Sequence, residues 1–221
     1  MKKTLQRPEL AEELTDKQIH LIRTTYQAIS EKGAHRVSLQ DIATAAGVSK
    51  GILLYHFETK DDLILRTMQW VLSRTETRIR EAIASVPAPR EQVLAMVDVI
   101  YSHPEANRRF YLTYLDLLEH SVRMDTFGNL ASTFRGIVNS LYEEVVGAGV
   151  KSGVFRVPDA KEASVTVRAI VDGMFIQWLG EKDWKRSHRA YKEACQRAIL
   201  AYLGAEADEF RDWKGAVAPW T

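Results

Sequence analysis

Apolar residues recur along this chain at three- and four-residue spacing, and no stretch shows the strict alternation with polar residues that a half-buried strand requires. Thr15 and Gln18 form a capping box, and Ile19, Ile22, Tyr26 and Ile29 then mark one helical face until Gly33 stops it. From Lys60 to Val86 no proline or glycine interrupts the pattern, which predicts a helix of about 25 residues, roughly 38 Å long. Pro87 and Pro89 break the chain. Beyond them Val93, Met96, Val97 and Ile100 form one stripe, and Pro104 restarts a helix carrying Phe110, Tyr111, Tyr114, Leu115, Leu117 and Leu118. Leu130, Phe134, Ile137, Val138, Leu141, Tyr142 and Val145 keep the same rhythm, and the Gly147, Gly149 and Gly153 cluster is expected to end that helix. Two further helices follow, one capped by Asp159 and one carrying Trp184, His188, Tyr191, Cys195, Ala198, Ile199 and Tyr202. The expected fold class is all-α.

The stretch from Ser38 to Phe57 departs from these long periods. Ser38 is a good N-cap with Asp41 three residues on, Gly47 supplies the backbone freedom of a helix end, and Ser49 caps a second helix two residues later. So short a connection requires a sharply angled pair, a helix-turn-helix. Leu53 and Phe57, four apart, can pack on the first helix. Lys50, Gly51, Ile52, Leu54, Tyr55 and His56 are left around the outside, and they offer donors, apolar groups and a small residue for close backbone approach.

The run Asp41-Ile42-Ala43, Ala46-Gly47-Val48-Ser49, Gly51, Tyr55-His56-Phe57, Lys60 and Leu63 resembles the DNA-binding domain of the TetR/AcrR family of transcriptional regulators. The likeness covers roughly residues 15 to 72, and it combines many positions at fixed offsets. Family members often carry Tyr where this chain has Leu54, facing the phosphate backbone, and Tyr55 can take over that contact. The C-terminal half is similar to the branch that includes the choline-responsive BetI repressors. That second likeness rests on the Phe110 to Glu119 segment, the Gly149-Val150-Lys151-Ser152-Gly153 turn followed by Phe155, and Asp172-Gly173.

Composition narrows the class. In 221 residues, 46% hydrophobic and 27% charged is ordinary for a globular chain, and the net charge of +1 is too small for a non-specific architectural DNA protein. Charge is uneven, however: Lys17 to Lys60 holds six basic against three acidic residues. The chain has neither an apolar run long enough for a membrane span nor a signal-peptide core at its start, so the expected location is the cytoplasm. A single cysteine and six scattered histidines, with no metal-ligand spacing, nucleophile elbow or phosphate loop, give no catalytic, metal or cofactor site. An enzyme on an all-α body is the unsupported alternative.

The expected organisation is a flexible arm over 1–14, a helix-turn-helix domain over 15–60, a ligand-binding and dimerisation domain over 61–203, and a tail over 204–221. Double-stranded DNA is the expected first partner. Lys50, Ile52 and Gln40 are assigned to base edges; Ser38, Tyr55, His56 and Lys60 to phosphates, with Ser49, Gly51 and Leu54 completing the surface. For His56 a solvated surface role, and for Gln40 a helix-start role, are open alternatives. The helix from Asp159 is apolar on two sides, so one face is expected to meet a second copy of the chain, burial of both faces within one chain being the alternative. Val165, Ala169, Gly173 and Ile176 on that helix, with Tyr191, Cys195, Ile199 and Tyr202 on the last, are assigned to a four-helix homodimer interface. The family resemblance further implies a small-molecule inducer. Trp70, Met96, Tyr101, Phe110, Tyr111, Tyr114, Phe134, Met174 and Trp178 are candidates to line its pocket, although aromatic stripes at this spacing also serve as plain core. A near-palindromic operator released by an apolar or amphipathic ligand is the expected function; activation from the same groove contacts is the alternative.

Overall fold

The computed structural model describes residues 14–124 and 128–205. The expected arm, apart from Leu14, and the expected tail, apart from Gly204 and Ala205, lie outside that range. All regular structure among the described residues is helical: α1 (Asp16–Lys32), α2 (Leu39–Ala46), α3 (Lys50–His56), α4 (Lys60–Ala84), α5 (Pro89–Ile100), α6 (Pro104–Met124), α7 (Gly128–Lys151), α8 (Ala160–Leu179) and α9 (Trp184–Tyr202). No helix among them is long and apolar enough to cross a membrane.

Packing sorts the described residues into two compact units, one holding 14–78, 102–124 and 128–138, the other 79–101 and 139–205. In the first unit α1, α2, α3 and the front of α4 enclose a core built on Leu21, Ile22, Ile42, Leu53, Leu63 and Ile64. Burying such side chains fully is worth about 1.5–3 kcal/mol each against leaving them in water, which holds three short helices that would not persist alone. Helix α6 joins this core through Leu117, and its Asp116 Oδ2 accepts the Ala34 backbone N–H at 2.7 Å. The loop between α1 and α2 is thereby tied to a residue 82 positions away.

The second unit is built around Phe175 and Trp178 of α8, both fully buried. Tyr101 stacks on Phe175 with ring centroids 4.0 Å apart, and Trp178 Nε1 donates to the Trp184 carbonyl at 2.6 Å. Helix α9 packs against α8 and α5 along one face carrying Tyr191, Cys195 and Ile199. Helix α7 does not stop at its glycines. It runs on through Gly147 and Gly149 to Lys151, and only Gly153, at φ 74°, leaves helical geometry. Gly149 is there because the ring of Phe155, itself buried, lies directly over its α-carbon.

Candidate nucleic-acid interface

The helix-turn-helix is held by caps at each corner. Thr15 and Ser38 both close capping boxes, the latter with Asp41, whose carboxylate accepts the Ser38 backbone N–H at 2.9 Å. Gly47 adopts the left-handed conformation at φ 67°, and the Val48 N–H reaches back to the Ala43 carbonyl at 3.0 Å, so the chain leaves α2 at a sharp angle. Ser49 Oγ accepts the Ile52 N–H at 3.3 Å and starts α3 at once. His20 Nε2 lies 3.2 Å from the Ala46 carbonyl, a further tie between α1 and the end of α2.

These caps fix which side of α3 faces out. Leu53 and Phe57 point into the core, and the rest of the helix is left to solvent: Lys50 and Gly51 are exposed, Leu54 is 44% and Tyr55 84% exposed, and Ile52 and His56 are half-buried. The Tyr55 ring meets His56 edge-on at 5.0 Å. Gln40, in the first turn of α2, is exposed, and Lys60 sits half-buried at the first position of α4. Gly51 is in helical geometry, and a Cβ built there would meet only Ser49 Oγ at 3.7 Å. The fold itself therefore has no need of glycine at that place, although glycine costs a helix up to about 1 kcal/mol relative to alanine.

The two capping serines differ in what they leave over. Ser38 both accepts the Asp41 N–H and donates its hydroxyl hydrogen to the Asp41 carboxylate, so its side chain is occupied by the cap. Ser49 uses only an oxygen lone pair and keeps its O–H as a donor. Hydrogen bonds from Ser38, then from Lys32, hold the Asp41 carboxyl well below the usual carboxylate range. Because the folded value lies below the unfolded one, the contribution of Asp41 is complete at neutral pH, declines once pH falls below the ordinary aspartate value and is gone below the depressed one. A carbon-detected NMR titration should find Asp41 still ionised at pH 3, where an ordinary aspartate is mostly protonated.

Sequence reasoning did not find Asp116 or Thr113. Thr113 Oγ1 donates to Ser30 Oγ at 3.2 Å, so that two consecutive turns of α6 brace the end of α1. No local signal points to them, since both act across more than 80 residues.

The other expected sites are placed unevenly. Of the inducer set, Trp70, Phe110, Tyr111 and Tyr114 belong to the first unit, and Met96, Tyr101, Met174 and Trp178 to the second; the Phe134 side chain lies outside the described ones. Trp70 is flanked by the guanidinium groups of Arg23 and Arg74, 5.6 and 5.8 Å from its ring centre. On α8, Val165 and Ile176 are 52% and 53% exposed, Ala169 is exposed, and a Cβ on Gly173 would meet nothing within 4 Å. On α9 only Tyr202 of the four named residues is exposed. Tyr191, Cys195 and Ile199 are core residues of their own chain, so their assignment to an interface with a second copy is corrected: the α9 stripe is already consumed by α8 and α5. Burial pushes the Cys195 thiol up to about 12, outweighing the opposing effect of the neighbouring Tyr101 hydroxyl. In the folded protein iodoacetamide should leave Cys195 unmodified at pH 8, and denaturant should expose it to complete alkylation, as mass spectrometry would show.

Among the described residues no three His, Cys, Asp or Glu side chains converge as a metal site would require. Comparison with known proteins agrees with the geometry of the head. Residues 21–67 match the model of the bacterial regulatory proteins of the tetR family, and residues 89–208 match that of the BetI-type transcriptional repressor C-terminal domain. The transcriptional repressor KstR2 of Rhodococcus jostii is 31% identical over 127 residues, 58% of this chain and 62% of that protein. The regulator BetI of Stenotrophomonas maltophilia is 27% identical over 174 residues, covering 71% and 78%. Among solved structures, a TetR transcription regulator from Haloarcula marismortui superposes with a TM-score of 0.73 at 22% identity, over 86% of this chain and 97% of that one. A regulator from Saccharomonospora viridis in complex with choline gives 0.71 at 22% identity, over 85% and 95%. With a helix-turn-helix at one end and a matching repressor-type domain across more than half its length, this chain belongs to the TetR family of transcriptional regulators.

Proposed function

We propose that the chain is a dimeric repressor that holds a near-palindromic operator with two copies of α3 and leaves it when a small apolar or amphipathic ligand binds its C-terminal half. The observation that carries this reading is the outer face of α3. Lys50, Gly51, Leu54 and Tyr55 stand out together, with Ile52 half-buried beside them, because Leu53 and Phe57 anchor the opposite side. A cation, a phenol and apolar groups on one short helix are what base edges, phosphates and thymine methyls require. In this reading residues 15–60 read DNA, and 61–203 hold ligand and partner.

The exposed stripe of Val165, Ala169 and Ile176 on α8, with open space at Gly173, supports pairing with a second copy through α8. Two heads on a two-fold axis need half-sites about 34–36 Å apart, or a multiple of that. The choline complex of the Saccharomonospora viridis protein and the aromatic surroundings of Tyr101, Phe175 and Trp178 support a small ligand with an apolar component. Footprinting the protein on the DNA that flanks its own gene, with metabolites then added, tests the proposal. Protection of a palindrome that is lost on adding one metabolite is the expected result, and no protected palindrome would count decisively against it.

Gly51 offers a sharper check. In Gly51→Ala the protein should be equally or slightly more stable, by up to about 1 kcal/mol, because alanine favours the helix and meets no clash. Its affinity for the operator should nonetheless drop, because the added methyl occupies the space a DNA backbone would use. Thermal melts and a gel shift on one preparation separate the two effects; unchanged affinity would remove Gly51 from the interface.

A further inference from the structure

Helix α2 is eight residues long and is reached from the end of α1 through the turn over 33–37. A helix that short does not hold itself in water, so its place is set by what ties its ends. One tie is local: Lys32 Nζ donates to Asp41 Oδ1 at 2.9 Å, but both side chains are exposed, and pairs of that kind contribute little. A second comes from α6. Asp116 Oδ2 accepts the Ala34 N–H at 2.7 Å in a partly buried, charge-assisted bond. It does so immediately after Gly33 has left α1 at φ 85° and ψ 145°, a conformation that suits glycine. Ala34 is buried, as is Val37, whose N–H donates to the Gly33 carbonyl at 3.3 Å. The carboxylate is itself firmly placed. Leu117 beside it is buried in the head core, and Thr113, three residues earlier on the same face of α6, is buried and donates to Ser30 Oγ at 3.2 Å.

The side chains proposed to read DNA come directly after this turn. Ser38 caps α2, Gln40 lies in its first turn, and α2 packs on α3, which begins at Lys50, three residues after Gly47 ends α2. A tilt of α2 is therefore passed to α3. Hydrogen bonds to base edges weaken steeply when donor and acceptor move out of line, whereas a flexible lysine follows a phosphate through a small displacement.

From these observations we infer that Asp116 is a positioning residue for DNA recognition, a role that rests on the operator-binding function proposed for the head. By holding the Ala34 N–H it fixes the entry to α2 and keeps the outer side chains of α2 and α3 in register with base edges. It acts through the turn, so its loss falls on sequence-specific binding and spares the non-specific attraction that the lysines supply.

To test this, the full chain is offered a pool of random-sequence duplexes, and the duplex it selects is compared with one of scrambled sequence. Asp116→Ala should bind the selected duplex at least about tenfold more weakly, and the scrambled one within about twofold of the parent. Asp116→Asn should stay within about threefold on both, because its amide oxygen still accepts the Ala34 N–H. The slope of log affinity against log salt should keep the parent value in both variants, since no cation has been removed. Amide exchange of the free protein adds a readout without DNA: in Asp116→Ala the Ala34 N–H should exchange at least about tenfold faster, while Leu21 and Ile22 exchange as in the parent. A variant that had merely lost stability would weaken on both duplexes alike, and its core amides would speed up with Ala34. Should Asp116→Ala fail to fold, Thr113→Val, which keeps the side-chain shape and removes its bond to Ser30, carries the comparison, with a loss of about threefold expected on the selected duplex. Parent-like discrimination in the folded variant, equal losses on the two duplexes, no recovery with Asp116→Asn, or an unchanged Ala34 exchange rate in Asp116→Ala would overturn the positioning role and leave operator binding standing. A parent chain that selects no duplex would overturn both.

Discussion

Replacing Gly149 by alanine should destabilise the protein by about 3 kcal/mol, even though the same change in an open helix would stabilise it by up to about 1 kcal/mol. A Cβ at Gly149 would lie 1.9 and 2.1 Å from Cδ2 and Cε2 of Phe155 and 2.6 Å from its Cγ, far inside contact distance. The ring has no easy retreat. The Val154 and Phe155 N–H groups both donate to the Gly149 carbonyl, at 2.9 and 3.1 Å, and the next residue, Arg156, donates its N–H to Leu203 at 2.8 Å. The reverse turn is therefore pinned on both sides of the phenyl group. Either α7 bends away or the buried Phe155 is expelled, and exposing such a ring costs about 1.5–3 kcal/mol. For a chain of this length a loss of that size lowers the melting temperature by about 6–12 °C. Phe155→Leu in the Gly149→Ala background should recover part of it, so that the two substitutions are strongly non-additive. A Gly149→Ala protein that melts at or above the parent temperature would show that the ring does not occupy the position described.

The glycine cluster illustrates where a sequence stops being legible. Gly147, Gly149 and Gly153 read alike as helix breakers, yet Gly153 takes a positive φ while Gly149 stays helical beneath an aromatic ring. Which of them ends the helix depends on a packing partner that no local window contains. The head was readable for the opposite reason. Ser38, Asp41, Gly47 and Ser49 act on groups within three or four residues, and Leu53 and Phe57 share a face by spacing alone. In the C-terminal half the period showed that Tyr191, Cys195 and Ile199 lie together, but not what covers them, and α8 of the same chain does so. The bond from Ala34 to Asp116 belongs to the same class: its two ends carry no shared signal in the sequence.

Within the proposed interface, Lys50 and Lys60 should separate two kinds of contact. Lys50 stands exposed at the first position of α3, from which a side chain reaches base edges, whereas Lys60 begins α4, past the end of that helix, where a phosphate is the natural partner. Lys50→Ala should therefore cost about 1–3 kcal/mol on the operator, roughly 5- to 150-fold in affinity, and much less on unrelated DNA, collapsing the ratio between them. Lys60→Ala should weaken both DNAs by a similar factor and lower the slope of log affinity against log salt by about one. Neither side chain is part of the core, so both variants should melt with the parent, which keeps folding out of the comparison. The salt series is the deciding measurement because it counts phosphates without reference to sequence. Equal losses on operator and random DNA for Lys50→Ala would demote that lysine to a backbone contact and move sequence reading to other groups on the outer surface of the motif, Ile52, Gln40 and the exposed ring of Tyr55.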